Sequence, residues 1–214
     1  MRNLCLQVIS RYESFMQLKS RKITRTLQAA VPRTWSREVD RVLIEESQIQ
    51  KRVRTLAQEI ARDYRGSDLV LVACLNGTVM FLADLVRHLK LPLRLDFIGV
   101  SSYGAGTQSG ELVFTKELRL DVKGRDVLLV DDILDTGRTI KRVSAAVRAL
   151  KPRSLKVCVF LNKEERRVEN VHADYIGFDI PDYFVVGYGL DFAERYRNLP
   201  FVGVLKEEIY SAAK

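Results

Sequence analysis

From residue 49 onward the apolar and polar positions fall into alternating blocks. Ile49, Val53, Leu56 and Ile60 recur at spacings of four, three and four, which predicts an amphipathic helix ending near Gly66. The run LVLVACL (Leu69–Leu75) is short and continuously apolar, the pattern of a strand covered on both faces. After the turn NGTV, the residues Leu82, Leu85, Val86 and Leu89 mark one side of a second helix, which stops before Pro92. LRLDFIGV alternates like a half-buried strand, and SSYGAGTQS (Ser101–Ser109) is the next stretch, a polar loop too long for a tight turn. DVLLV predicts another buried strand, Ile140, Val143, Val147 and Leu150 the helix behind it, and Leu155–Leu161 the next strand. This alternation predicts an α/β fold, a mostly parallel twisted sheet flanked by helices. A length of 214 residues suits a single domain, and no internal repeat or linker divides it.

Composition changes the picture in one place. Residues 1–34 hold seven basic side chains against the lone acid Glu13, so +6 of the net +8 sits in that tail and the body is nearly neutral. We therefore read 1–36 as a basic N-terminal extension and 37–214 as the domain. An Arg-rich, acid-poor start resembles an organelle transit peptide, and a disordered arm or a start codon set too far upstream gives the same pattern. The tail lacks the aromatic and arginine spacing of a nucleic-acid arm, so no nucleic-acid partner is expected. No apolar run approaches the ~18 residues of a membrane span, so no membrane partner is expected either. Cys5, Cys74 and Cys158 are scattered, the latter two inside apolar runs, which points to buried reduced thiols and a cytoplasm-like compartment.

The chemistry concentrates in VLLVDDILDTGRTI (Val127–Ile140). In open sheets ligands bind at the carboxyl ends of the strands, and Asp131 and Asp132 come directly after the strand DVLLV. DTGRT (Asp135–Thr139) then opens a helix. Gly137 permits a bend that other residues resist. Turn amides, the hydroxyls of Thr136 and Thr139 and the helix N-terminus converge as an anion nest sized for a phosphate. Carboxylates are poor phosphate ligands, so Asp131 and Asp132 address something else on the same molecule. A ribose diol or Mg²⁺ fits their charge and acceptor-only chemistry. Phosphate, diol and metal together describe a phosphorylated ribose. The glycine spacing matches neither a P-loop nor GxGxxG.

This stretch resembles the phosphoribosyl-pyrophosphate (PRPP) motif of type I phosphoribosyltransferases. IGFDIPDYFVVGYGLDFAERYRNLPFVGVL (Ile176–Leu205) resembles the matching segment of their hypoxanthine-guanine, purine-salvage branch, and the likeness runs from about Arg41 to Tyr210. The resemblance implies that family's fold, with a small hood and a mobile loop, and a Mg²⁺-dependent transfer of 5-phosphoribosyl from PRPP to hypoxanthine or guanine. It implies that Asp135, Thr136, Gly137, Arg138 and Thr139 bind the 5′-phosphate, with Asp131 and Asp132 on the ribose hydroxyls and the metal. Leu75, Asn76 and Gly77, with a cis bond at Leu75–Asn76, and Arg197 would take the pyrophosphate. Phe184 would stack on the purine, Val185 meet its edge, Lys163 donate to the 6-keto oxygen, and Asp191 coordinate Mg²⁺ near the base. Asp135 would be the catalytic residue at purine N7, and Ser102 and Tyr103 would belong to the mobile loop. Asp131 stands where the family often has Glu, Asn76 where many members have Lys, and Arg138 where Lys is common. By themselves, Phe184 reads as strand core and Lys163 as one solvated charge among KEERR. Other bases (xanthine, adenine or a pyrimidine) and an RNA-binding regulator on the same fold are the alternatives. Relatives of this kind form dimers or tetramers.

Overall fold

The computed structural model describes residues 30–102 and 112–211. Its centre is a six-stranded sheet in the order β4-β3-β2-β5-β6-β7. β2 (Leu69–Leu75), β3 (Leu93–Ser102), β5 (Asp126–Leu134), β6 (Ser154–Asn162) and β7 (Tyr175–Asp179) run parallel, while β4 (Leu112–Lys116) pairs antiparallel with β3 at the edge. A second, three-stranded antiparallel sheet forms the hood, with β1 (Val39–Ile44), β9 (Val202–Leu205) and β8 (Val185–Val186) in that order.

The continuous apolar runs are explained by burial on two sides. Leu69, Leu71 and Ala73 of β2 face one core with Leu128 and Val130 of β5. Val70, Val72 and Cys74 face the other with Val127 and Leu129. Helix α1 (Glu46–Asp63) closes the first core with Ile49, Val53, Leu56, Ala57 and Ile60, and α2 (Val79–His88) adds Phe81, Leu82 and Leu85. Helix α3 (Arg138–Ala149) closes the second with Ile140, Val143 and Val147. Leu150, expected on that face, lies past the end of α3 and is 47% exposed. Cys74 and Cys158 are buried thiols, as expected. A third cluster fills the hood, and Val31 and Trp35, within the stretch read as the extension, pack against it.

Three features depart from the sequence expectations. β5 does not stop at Val130 but runs on to Leu134, so the acidic pair lies inside the strand and not in the turn beyond it. β3 includes Ser101 and Ser102, which were expected in the loop; Tyr103 and the remainder of that loop lie outside the described residues. β4 was not foreseen, because LVFTK is too short to show a period. No helix among the described residues is long and apolar enough to cross a membrane.

Candidate active site

β2 and β5 are neighbours, but the chain leaves them in opposite directions. α2 leads from β2 to β3 on one side, and α3 leads from β5 to β6 on the other. Such a reversal opens a crevice at the carboxyl ends of the two strands. There the protein has a cavity of about 370 Å³. It is walled by Leu75, Asn76 and Gly77 after β2, by Asp131 and Asp132 within β5, and by Asp135, Thr136, Gly137 and Thr139 at the start of α3. Asp191 and Arg197 close it from the hood side. Eleven residues singled out from three separate stretches of sequence thus share one cavity.

The floor is the anion nest. Gly137 caps α3 in the left-handed conformation, φ 88°. A Cβ there would sit 2.6 Å from Val171 Cγ2 and 3.1 Å from Arg167 Cδ, so only glycine fits. Among the described residues the amides of Asp135, Thr136 and Gly137 find no protein acceptor. Together with the unpaired amides of the first turn of α3 they can receive an anion. Arg138 is exposed and does not line the cavity, so the nest is built of backbone there. Among the described residues the buried Oδ1 of Asp135 has no hydrogen-bond partner, and it forms an ion pair with the Nε of Arg166 at 3.6 Å.

Facing the nest is the carboxylate pair. Asp131 is buried, and its Oδ1 accepts from the Asp132 amide at 3.1 Å and from the Thr78 hydroxyl at 3.3 Å. Burial, and after it the charge of Asp132, pushes the Asp131 carboxyl well above its ordinary range, and burial also raises Asp132. Burial and the charge of Asp131 push the Cys74 thiol up as well. A cation or a row of hydroxyl donors would relieve this crowding. Asp132 leaves no room behind it, since a Cβ on Gly77 would lie 1.7 Å from its Oδ2. The Leu75–Asn76 peptide is cis, as the resemblance implied.

The third wall is a tight turn at the start of which Asp191 sits. Ala193, Glu194 and Tyr196 all have positive φ (50°, 60° and 77°), uncommon for residues with side chains and typical of functional turns. The turn points Arg197 back at Asp191, with Nη1 3.0 Å from Oδ1, while Glu194 takes Nη2 at 2.9 Å. Arg197 is therefore both an ion-pair partner and a wall of the cavity. Gly189 obeys the same logic. With φ 101°, its backbone lies against Gly77, where a Cβ would be 2.0 Å from the carbonyl oxygen.

Lys163, Phe184 and Val185 do not line this cavity. Lys163 is nonetheless not the solvated charge its neighbours suggest. Only 5% exposed, it sits just past β6, its amide donating to the Leu134 carbonyl at 3.0 Å and its Nζ 3.5 Å from Asp182. Phe184 is not core either; it is 37% exposed, stacked on Tyr210 (4.7 Å, 12°) and edge-on to Phe192. Val185 opens β8 and is buried. The side chain of Ser102 and all of Tyr103 are outside the described residues. Cys74, Val100, Ile133 and Ile140 also line the cavity. The sequence marked three of these only as buried apolar positions and gave no signal that they face a ligand.

Comparison with known proteins agrees with this geometry. Residues 43–193 match the phosphoribosyl transferase domain. The chain is 43% identical over 176 residues to the hypoxanthine-guanine phosphoribosyltransferase of Bacillus subtilis (strain 168), which covers 82% of this chain and 98% of that protein. It is 45% identical over 175 residues to the bifunctional protein TilS/HprT of Listeria monocytogenes serotype 4b (strain F2365), covering 81% of this chain but only 27% of that longer protein's length. A solved hypoxanthine phosphoribosyltransferase from Staphylococcus aureus superposes with a TM-score of 0.80 at 41% identity, over 85% of this chain and 99% of that one. Matched by the domain over residues 43–193 and by full-length relatives at more than 40% identity, the chain belongs to the phosphoribosyltransferase family, in the hypoxanthine-guanine branch.

Proposed function

We propose that the chain transfers 5-phosphoribosyl from PRPP to a ring nitrogen of hypoxanthine or guanine. The bond from the anomeric carbon to pyrophosphate breaks, a carbon–nitrogen bond forms, and the purine gives up one proton. The observation that carries this reading is one cavity lined both by a backbone anion nest and by two adjacent carboxylates, Asp131 buried and Asp132 half-buried. That pairing suits a phosphorylated sugar and little else.

In this reading the Asp135–Thr139 turn holds the 5′-phosphate, and Asp131 and Asp132 hold the ribose hydroxyls. The Leu75–Gly77 backbone and Arg197 receive the pyrophosphate, for which Arg197 would exchange its pairing with Asp191 and Glu194 for phosphate oxygens. Asp131, Asp132 and Asp191 are the oxygen donors for Mg²⁺. Among the described residues no three acidic, histidine or cysteine groups form a ready-made cage, so not all three carboxylates would bind one ion directly, and substrate phosphates and water would complete its coordination. Bound there, Mg²⁺ would neutralise the leaving pyrophosphate. Asp135, whose buried Oδ1 at the rim of the nest makes no hydrogen bond among the described residues and only a loose ion pair with Arg166, accepts the N7 proton of the purine. Phe184 offers a ring face to the base, Val185 its backbone, and Lys163 its ammonium to the 6-keto oxygen. Ser102, the last residue of β3, leads into the stretch beginning at Tyr103 that, in this reading, would exclude water from the exposed sugar cation. The domain from 37 to 214 carries every one of these groups. Cytoplasmic location and assembly as a homodimer or homotetramer complete the proposal.

Lys163→Gln tests the base class. The ammonium donates to a 6-keto oxygen but meets the 6-amino group of adenine donor to donor. Removing a buried charged donor weakens that discrimination by roughly 1.5–3 kcal/mol, or about 10- to 150-fold. The ratio of kcat/KM for hypoxanthine to that for adenine is the measurement. An unchanged ratio would remove Lys163 from base selection.

A further inference from the structure

We infer that Arg167 is a positioning residue, which turns the amides of the phosphate nest into the cavity and locks the nest to the segment carrying Lys163. The inference rests on the phosphoribosyl reading above. Arg167 is the second arginine of KEERR, a run whose charges look solvated in sequence, yet its guanidinium is spent entirely on the protein. Nε donates to the Asp135 carbonyl at 2.9 Å, and Nη1 to the Val171 carbonyl at 2.8 Å. Nη2 reaches Asn162 Oδ1 at 2.7 Å, the Leu134 carbonyl at 3.1 Å and the Lys163 carbonyl at 3.3 Å.

The direction of these bonds matters more than their number. In a trans peptide the carbonyl and the next N–H point opposite ways, and none of the peptides from Leu134 to Gly137 is cis. Arg167 draws the carbonyls of Leu134 and Asp135 toward itself, while the amides of Val168 and Glu169 draw the Thr136 carbonyl the same way, each at 3.1 Å. Three successive carbonyls held on one side put the amides of Asp135, Thr136 and Gly137 on the other. Those are the amides without a protein acceptor, on residues that line the cavity. The same Nη2 holds the Lys163 carbonyl, and the Lys163 amide holds Leu134, so the nest and the base-selecting lysine form one block. Lysine cannot reproduce this, because an ammonium lacks the planar fork that spans separate carbonyls.

The test is the affinity that a 5′-phosphate adds, measured as the Kd of inosine divided by the Kd of its 5′-monophosphate, IMP, by calorimetry on the full chain. Arg167→Lys keeps the charge and most of the bulk. We expect it to lower that factor about 10- to 100-fold, the scale of a misplaced binding group, with the inosine Kd little changed. In Arg167→Ala, millimolar guanidinium should restore part of the factor, and methylammonium at the same concentration should not. Thermal melts of both variants identify any that fail to fold, and the ratio is read on the folded one. A parent that binds IMP no better than inosine would contradict the phosphoribosyl reading and this inference with it. A parent with a large factor that Arg167→Lys retains in full would overturn the role of Arg167 alone.

Discussion

Replacing Asp135 by Asn should lower kcat with hypoxanthine or guanine about 10²–10⁴-fold, the usual scale of general acid–base help, while PRPP affinity changes little. The substitution preserves size and one acceptor and removes only the charge. Asp135 differs from its acidic neighbours in what surrounds it. Asp131 is tied to Thr78 and the Asp132 amide within β5. Asp135 lies after the strand, its Oδ1 buried and without a hydrogen-bond partner. A carboxylate oxygen that makes no hydrogen bond and only a loose ion pair with Arg166, at the rim of the proposed phosphate nest, suits a proton that arrives with the second substrate. A loss confined to kcat is the mark of an interaction made in the transition state. Rates with each base and PRPP titrations on both proteins check it. Collapse of PRPP affinity with kcat preserved would make Asp135 part of the loop's architecture instead.

Gly77→Ala should cost on the order of 10²-fold in kcat/KM for PRPP, because a displacement of about 1 Å in a positioned group has that effect. A methyl group on Gly77 would lie 1.7 Å from Asp132 Oδ2 and 2.8 Å from its Cγ. The carboxylate must swing away or the turn after β2 must shift, and either change spoils the wall proposed here for ribose and pyrophosphate. The same substitution made in an Asp132→Ala background should do much less, since the clash has gone. Equal losses in the two backgrounds would locate the effect in the Leu75–Gly77 backbone rather than in Asp132.

The parts of this molecule that were legible in the sequence are those whose causes are local. A parallel strand buried on both faces must be apolar throughout, so Leu69–Leu75 and DVLLV announced themselves. A helix start whose amides are left open to an anion needs a glycine turn, with Gly137 in the left-handed conformation, so DTGRT did too. The misreadings have long-range causes. KEERR looks like a solvated run, but Lys163 is sealed against Asp182 and Leu134, and Arg167 against carbonyls as far back as residue 134. Nothing local marks the approach of Gly77 to Asp132 or of Gly189 to Gly77, because both join residues more than 50 positions apart. The extension of β5 through the acidic pair was hidden for a different reason. Carboxylates are poor strand formers, and here the pairing of Asp131 with Val159 and of Ile133 with Leu161 in β6 overrides that preference.

Substrate turnover decides whether the chain transfers phosphoribosyl to a 6-oxopurine. The protein is incubated with PRPP and Mg²⁺ and, in separate reactions, hypoxanthine, guanine, xanthine and adenine, and nucleotide and pyrophosphate are measured together. Equimolar nucleotide and pyrophosphate are expected with hypoxanthine or guanine, and far slower reaction with adenine. Adenine turned over as fast as the 6-oxopurines, or no nucleotide from any base while PRPP still binds, would contradict the proposed function.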